Sequence, residues 1–250
     1  MFDENIERRM NLFDCLVKGI IFYGAEMWGW EEIKELEAVQ IRYLKWMLEL
    51  DKWTPGYIVR DECKRKKLRI ETGMRAVKYE EKIRKNTKSK LLQELIRDLD
   101  KNREEVEGRW LESRRKYWER CGWSGIEVKN MRDSEVDIVK EMKMRDDDVL
   151  HQEELSEIEK SRYNKKYEYI RTTELPEYMK RPGKNNKHKI IARFRTGNEE
   201  EENKYWLKDR KRCRVCGEGE DSVEHMVMDK NWTWREVLEE DGGGERWTET

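Results

Sequence analysis

Only three prolines occur in the 250 residues, and none lies between Pro55 and Pro176. So long a stretch without the strongest helix breaker leaves helices free to run. Long apolar runs are missing too. The most hydrophobic stretch, residues 16–30, carries Lys18 and Glu26 and is too short to span a bilayer, so the chain is expected to stay out of the membrane. Charge of one sign is also missing. Fifty-four Lys and Arg against 55 Asp and Glu give a formal net charge of −1, which supplies no global field to draw nucleic acid. Any such binding must be local. Cysteine is sparse: Cys15, Cys63, Cys121, Cys213 and Cys216 are odd in number and mostly scattered. That argues against a disulfide scaffold and, with no signal peptide, fits a reducing intracellular compartment, nuclear or cytoplasmic.

Charged residues, by contrast, make up 44% of the chain, against a typical ~25%. Such a composition suits exposed, salt-bridged helices around a modest core, and not a large compact enzyme. The stretch from Leu12 to Tyr57 holds the apolar surface that can seed that core. Phe13, Leu16, Val17, Ile20, Gly24, Met27 and Trp28 recur at three- and four-residue steps and predict one face of a helix. Leu12, Ile21 and Tyr23 widen the stripe beyond what a surface helix needs, which predicts burial on most sides. Gly24 would let a partner helix approach closely. After a break at Gly29-Trp30, a second helix carries Ile33, Leu36, Gln40, Tyr43, Leu44 and Met47 inward, with Glu31, Glu32 and Glu35 in its first turns. Thr54 and Pro55 then read as N-cap and N1 of a third helix running to Leu68 and ending in the basic cluster Lys64-Arg65-Lys66-Lys67.

Residues 74–120 read as long helices, with Leu92, Leu95, Leu99, Val106, Trp110 and Tyr117 forming a narrow stripe among charges. Cys121-Gly122-Trp123-Ser124-Gly125 is a stop signal. The mixed charge of 126–160 predicts a weak helix with disordered edges. Within it, Asp146-Asp147-Asp148 reads as a solvated charge run and not as a catalytic carboxylate site.

From Lys180 to Arg195 there are seven bases and no acid, with Ile190 to Phe194 starting a helix; six more bases lie between Lys204 and Arg214. The balance over 180–214 is 13 bases against 5 acids, or +8. With Phe194, Tyr205 and Trp206 interleaved, this is the best nucleic-acid footprint in the chain. The aromatics fit equally well as core residues of a small helical subdomain. The bases expected to meet phosphate are Lys64, Arg65, Lys66 and Lys67 in one cluster and Lys184, Lys187, Lys189, Arg193, Arg195, Arg210, Lys211, Arg212 and Arg214 in the other.

Cys213-x2-Cys216 places two thiolates for one metal, and His225 can supply a third zinc ligand. A closed structural zinc site needs four. Asp229 or His188 can complete it, or a water can, or the cysteines can serve as small packed residues.

The run YGAEMWGWEEIKELEAVQIRYLKWML, followed by TPGYIVRDE, IIARFRTGNE, CRVCGEGEDSVEH and WTWREVLEEDGGGE, resembles the part of non-LTR (LINE-type) retrotransposon polyproteins that lies after the reverse-transcriptase palm. The resemblance spans nearly the whole chain. It implies a helical thumb, a linker around Ser161–Tyr178 and a CCHC finger, without the endonuclease, fingers and palm. The family's last finger cysteine falls on Lys230 here. The expectation is a mainly α fold with no catalytic activity of its own. Residues 1–73 would form a three-helix thumb-like nucleus, 74–122 long charged helices, 123–179 a polar and partly disordered linker, and 180–250 a basic region with a finger-like subdomain. The implied partner is RNA or DNA, held through the basic clusters and a zinc finger. The alternative is a helical module that self-associates or binds a protein through a thumb face left open, or a fragment with no selected activity.

Overall fold

Helix-forming composition and scarce breakers carry through: in the computed structural model the protein is mainly helical, with no strand among the described residues. The structure describes residues 6–85, 88–101, 108–134, 136–180 and 187–199. In chain order these form α1 (Ile6–Leu12), a π turn (Phe13–Val17), α2 (Lys18–Ile21), α3 (Ala25–Trp28), α4 (Lys34–Leu48), α5 (Gly56–Cys63) and α6 (Leu68–Arg84). Then come α7 (Lys90–Lys101), α8 (Arg109–Arg120), α9 (Gly125–Asp133), α10 (Ile138–Glu159), α11 (Tyr167–Ile170), α12 (Glu177–Lys180) and α13 (Lys187–Arg195). No described helix is long and apolar enough to cross a membrane. The chain divides into two compact units, each drawn from separate stretches of sequence. One holds the described residues of 1–12, 41–65 and 157–250, the other those of 13–40 and 66–156.

In the second unit, the segment expected to be one apolar helix over 12–28 is broken twice. A π turn interrupts it at Phe13–Val17, and Gly24 takes a left-handed φ of +68° that a side chain would strain. Burial also follows only part of the expected inner face. Phe13, Phe22 and Ala25 are buried, whereas Leu16, Ile20, Tyr23 and Met27 of the expected inner face and its widening lie exposed. Both sides of the segment are apolar, and burial goes to the side carrying the two phenylalanines. The glycine that permits close approach is Gly29, not Gly24: a Cβ at Gly29 would fall 2.2 Å from the Thr72 carbonyl oxygen of α6.

The core of this unit joins Trp30 to Met74, Ala76 and Val77 of α6, Tyr117 and Trp118 of α8, Val128 of α9, and Ile138 and Met142 of α10. Trp30 meets the edges of Tyr117 and Trp110 at 5.5 and 6.1 Å. Each such large side chain contributes about 1.5–3 kcal/mol on burial. The stop signal is present: Gly122 is left-handed, and Ser124 opens α9 with a reciprocal capping box to Glu127. Beyond it, where a weak helix is expected, α9 is followed by α10, which runs 22 residues with Met142, Asp146 and Leu150 buried. Of the narrow stripe, Tyr117 is fully buried, while Val106 and the side chains of Leu95 and Leu99 lie outside the described residues.

The charge density is spent on buried ion pairs as well as on solvated faces. Glu80 is the hub of one set. It accepts from Arg114 Nε and Nη2, from Arg84 at 2.8 Å and from Arg132 at 2.9 Å, and Arg114 lies 3.6 Å over the Trp118 ring. Burial alone would raise the Glu80 carboxyl, but the guanidiniums, Arg114 first, hold it at about 2. Its folded value lies below the unfolded value of 4.5, so the stabilisation is present above pH 4.5 and is lost as pH falls toward 2. A Glu80→Gln variant should therefore lose its disadvantage against the parent by about 3 kcal/mol between pH 6 and pH 2, read from urea unfolding curves.

In the first unit α4 behaves largely as its periodicity predicts. Leu44, Met47 and Leu48 join Ile6 and Met10 of α1, Val59 and Cys63 of α5, Met179 of α12 and Ala192 of α13 in one cluster. Glu31 and Glu32 stand before α4 instead of in its first turn, where Glu35 and Glu37 lie. Thr54 does not cap α5. Pro55 holds the N-cap position, and the Thr54 hydroxyl donates to Asn198 Oδ1 at 3.0 Å. Nor does α5 reach Leu68. It ends at Cys63, because Lys64 takes a left-handed φ of +49° and the chain turns before α6.

Candidate functional site

The basic residues singled out from sequence are placed across both units. Lys64 bonds Asp61 at 3.0 Å, and Arg65 is half-buried. Lys66 pairs with Asp147 at 2.7 Å, and Lys67 lies 3.3 Å from Glu32 and 3.6 Å from Glu153. On α13, Lys187 is exposed, Lys189 pairs with Glu49, and Arg193 holds Glu199, Asp51 and the Glu49 carbonyl. Arg195 donates to Glu62 Oε1 at 2.6 Å and to the Ile170 carbonyl at 2.9 Å. Burial lowers the Arg193 and Arg195 pKa values, but the facing carboxylates outweigh it and raise both. Lys64, Lys66, Lys67, Lys189, Arg193 and Arg195 are thus tied to acids of the same chain, and a phosphate would have to displace those partners.

Lys184, Arg210, Lys211, Arg212 and Arg214 lie outside the described residues, as do Tyr205, Trp206 and the zinc ligands Cys213, Cys216 and His225 with Asp229. His188 is buried on α13. Among the described residues, no group of three or more His, Cys, Asp or Glu is arranged to hold a metal.

Two clusters escaped the reading of the sequence. In the first, Glu62 on α5 is 1% exposed and accepts from Tyr178 at 2.7 Å, Tyr167 at 2.9 Å and Arg195. Its neighbour Asp61 accepts from the same Tyr167 hydroxyl at 2.8 Å and from Arg171 at 2.8 Å. Burial first, then Glu62 for both and Asp61 for Tyr167, push the two phenols well above their ordinary value, so they remain protonated donors. The neighbouring Cys63 thiol is pushed up by burial, and Cys121 is raised to about 12 by burial and Asp146. Burial thus keeps both thiols in the protonated form.

The second cluster is the acidic triplet, and here the expectation of a solvated run fails at its first member. Asp146 is 0% exposed and accepts from Arg69 Nη1 at 2.8 Å, with Arg120 Nε at 3.5 Å. Asp147 is half-buried and Asp148 exposed, so successive residues on α10 face inward, sideways and outward.

The surface feature that remains is uncharged. Leu16, Ile20, Tyr23 and Met27 are 63, 77, 89 and 58% exposed, and a Cβ at Gly19 between them would stand in open space. Cys15 is exposed beside them. The signal for this face was in the sequence, as a stripe wider than one packed face requires. No family model, no curated protein and no solved structure matches the chain.

Proposed function

We propose that this chain is a non-catalytic helical module that works by binding protein through the uncharged face of Leu16, Ile20, Tyr23 and Met27. One observation supports the reading. Four large apolar side chains stand exposed with no charge among them, in a chain that is 44% charged. Isolated exposed apolar residues are ordinary, but several large ones exposed within one short stretch of chain support an interaction site.

A second reading is favoured by the charge balance of +8 over 180–214 and by the order of motifs resembling a retrotransposon thumb, linker and finger. In it the chain is a reverse-transcriptase remnant that holds RNA or DNA, with phosphate on the two basic clusters and zinc on Cys213, Cys216 and His225. The acidic partners of Lys189, Arg193 and Arg195 weigh against it among the described residues.

One experiment separates the two. A photoreactive amino acid is placed at Tyr23 in one chain and at Lys187 in another, and each is irradiated in cells. The interaction reading expects protein adducts from position 23 and no nuclease-sensitive adduct from position 187. Nucleic-acid adducts from 187 with nothing at 23 would reverse the ranking.

A further inference from the structure

Resting on the interaction reading, we infer that the partner of the uncharged face is a second copy of this chain, seated face to face about a two-fold axis. The case begins with charge. The charged side chains bordering the face are compensated within their own chain. Lys18 sits between Asp14, at 3.0 Å, and Glu71, and Glu26 lies 4.0 Å from Arg75. Lys18 and Arg75 are also drawn over the buried Phe22 ring, at 5.9 and 5.1 Å. The face therefore offers no field that would select an acidic or a basic partner. A partner must bring a surface that is likewise apolar and charge-balanced at its rim. In a chain so rich in charge, the same face of another copy meets that requirement residue for residue, as an isologous interface demands.

Shape and area agree with charge. Gly19 leaves open space where a Cβ would stand, so a side chain from the opposing copy can approach the backbone there. At roughly 200 Å² per large side chain, the four leave on the order of 550 Å² to solvent. Pairing two copies would bury about 1,100 Å², near the lower limit for a specific interface. The association is therefore reversible and concentration-dependent. Apolar contact drives it, so raising the salt concentration does not dissolve it.

The test is sedimentation velocity of the full chain over roughly 1–100 μM, with Ile20→Lys, Tyr23→Lys and, as a control, Ile126→Lys. All three positions are exposed, and Ile126 belongs to a different helix, so circular dichroism should be unchanged. The parent is expected to shift from monomer to dimer. Each face variant should raise the dissociation constant at least about tenfold, and the control should leave it alone. A parent that stays monomeric, or an association that Ile20→Lys and Tyr23→Lys leave intact, overturns the inference. So does a control that is equally disruptive, since the effect would then be general hydrophobicity. A monomeric parent whose position 23 still gives adducts with another protein would sink the second copy alone and leave the interaction reading standing.

Discussion

Replacing Glu62 with Ala should cost about 3–5 kcal/mol of unfolding free energy, the largest single effect expected in the first unit. The carboxylate is 1% exposed and is the shared acceptor for two phenols and a guanidinium. Truncation takes away the acceptor that the Tyr178 hydroxyl reaches at 2.7 Å. It also strips Arg195 of its carboxylate, keeping only the Ile170 carbonyl. Tyr167 fares better, because Asp61 Oδ2 still lies 2.8 Å away. Natural domains have only about 5–15 kcal/mol to lose, so the variant should be close to unfolded at body temperature. Glu62→Gln separates charge from shape. Its carbonyl can still accept from Tyr178 or Arg195, so it should recover part of the loss but not the attraction to the guanidinium. Chemical denaturation of the parent and both variants checks this. An Ala variant within about 1 kcal/mol of the parent would mean that the network is decoration on an otherwise apolar core.

What could be read from the sequence, and what could not, divides along contact distance. The helical class, the inward stripe of α4 through Gln40, Leu44 and Met47, and the stop at Gly122 with its Ser124 cap all depend on residues within a few positions of one another. Periodicity and capping chemistry report that scale. The side on which 12–28 is buried was not legible, because both faces are apolar and periodicity names a stripe without saying which way it turns. The fates of the charges were hidden for a different reason. Arg195 meets Glu62, Lys189 meets Glu49, and Arg69 meets Asp146 across separations of 133, 140 and 77 residues. Nothing local distinguishes an arginine that will be paired in this way from one that will stay solvated. The basic cluster on α13 looked like a phosphate footprint because its acids are remote in sequence. The finger ligands lie beyond the described residues, and for them the spacing of Cys213, Cys216 and His225 remains the whole of the signal.

The Arg69–Asp146 pair supplies the sharpest test of that distinction. Were the triplet a solvated run, changes at Asp146 would stay within about ±0.5 kcal/mol. The burial predicts otherwise, and it predicts an asymmetry. Arg69 has three acids within reach: Asp146 at 2.8 Å, Glu153 at 2.9 Å and Glu32 at 3.3 Å. Asp146→Leu therefore leaves the guanidinium partly compensated by carboxylates that are themselves partly exposed, and should cost about 1–3 kcal/mol. Arg69→Met removes the cation nearest to Asp146 among the described residues. Asp146, fully buried, is left with Arg120 Nε at 3.5 Å, and the cost should reach about 3–5 kcal/mol. Burying a poorly paired carboxylate costs more than losing the pair outright, so the sign of the Asp146 substitution depends on background. In the parent, Asp146→Leu destabilises; in Arg69→Met, the same change should restore stability by at least about 1 kcal/mol, because it deletes the weakly compensated charge and adds apolar volume to the core. A double-mutant cycle by urea unfolding reads both steps. Additive costs would show that water reaches Asp146 and that α6 and α10 are not held together by this charge. A reversal of sign would establish that the second unit is organised around a buried ion pair, at the residue where the chain looks most like exposed surface.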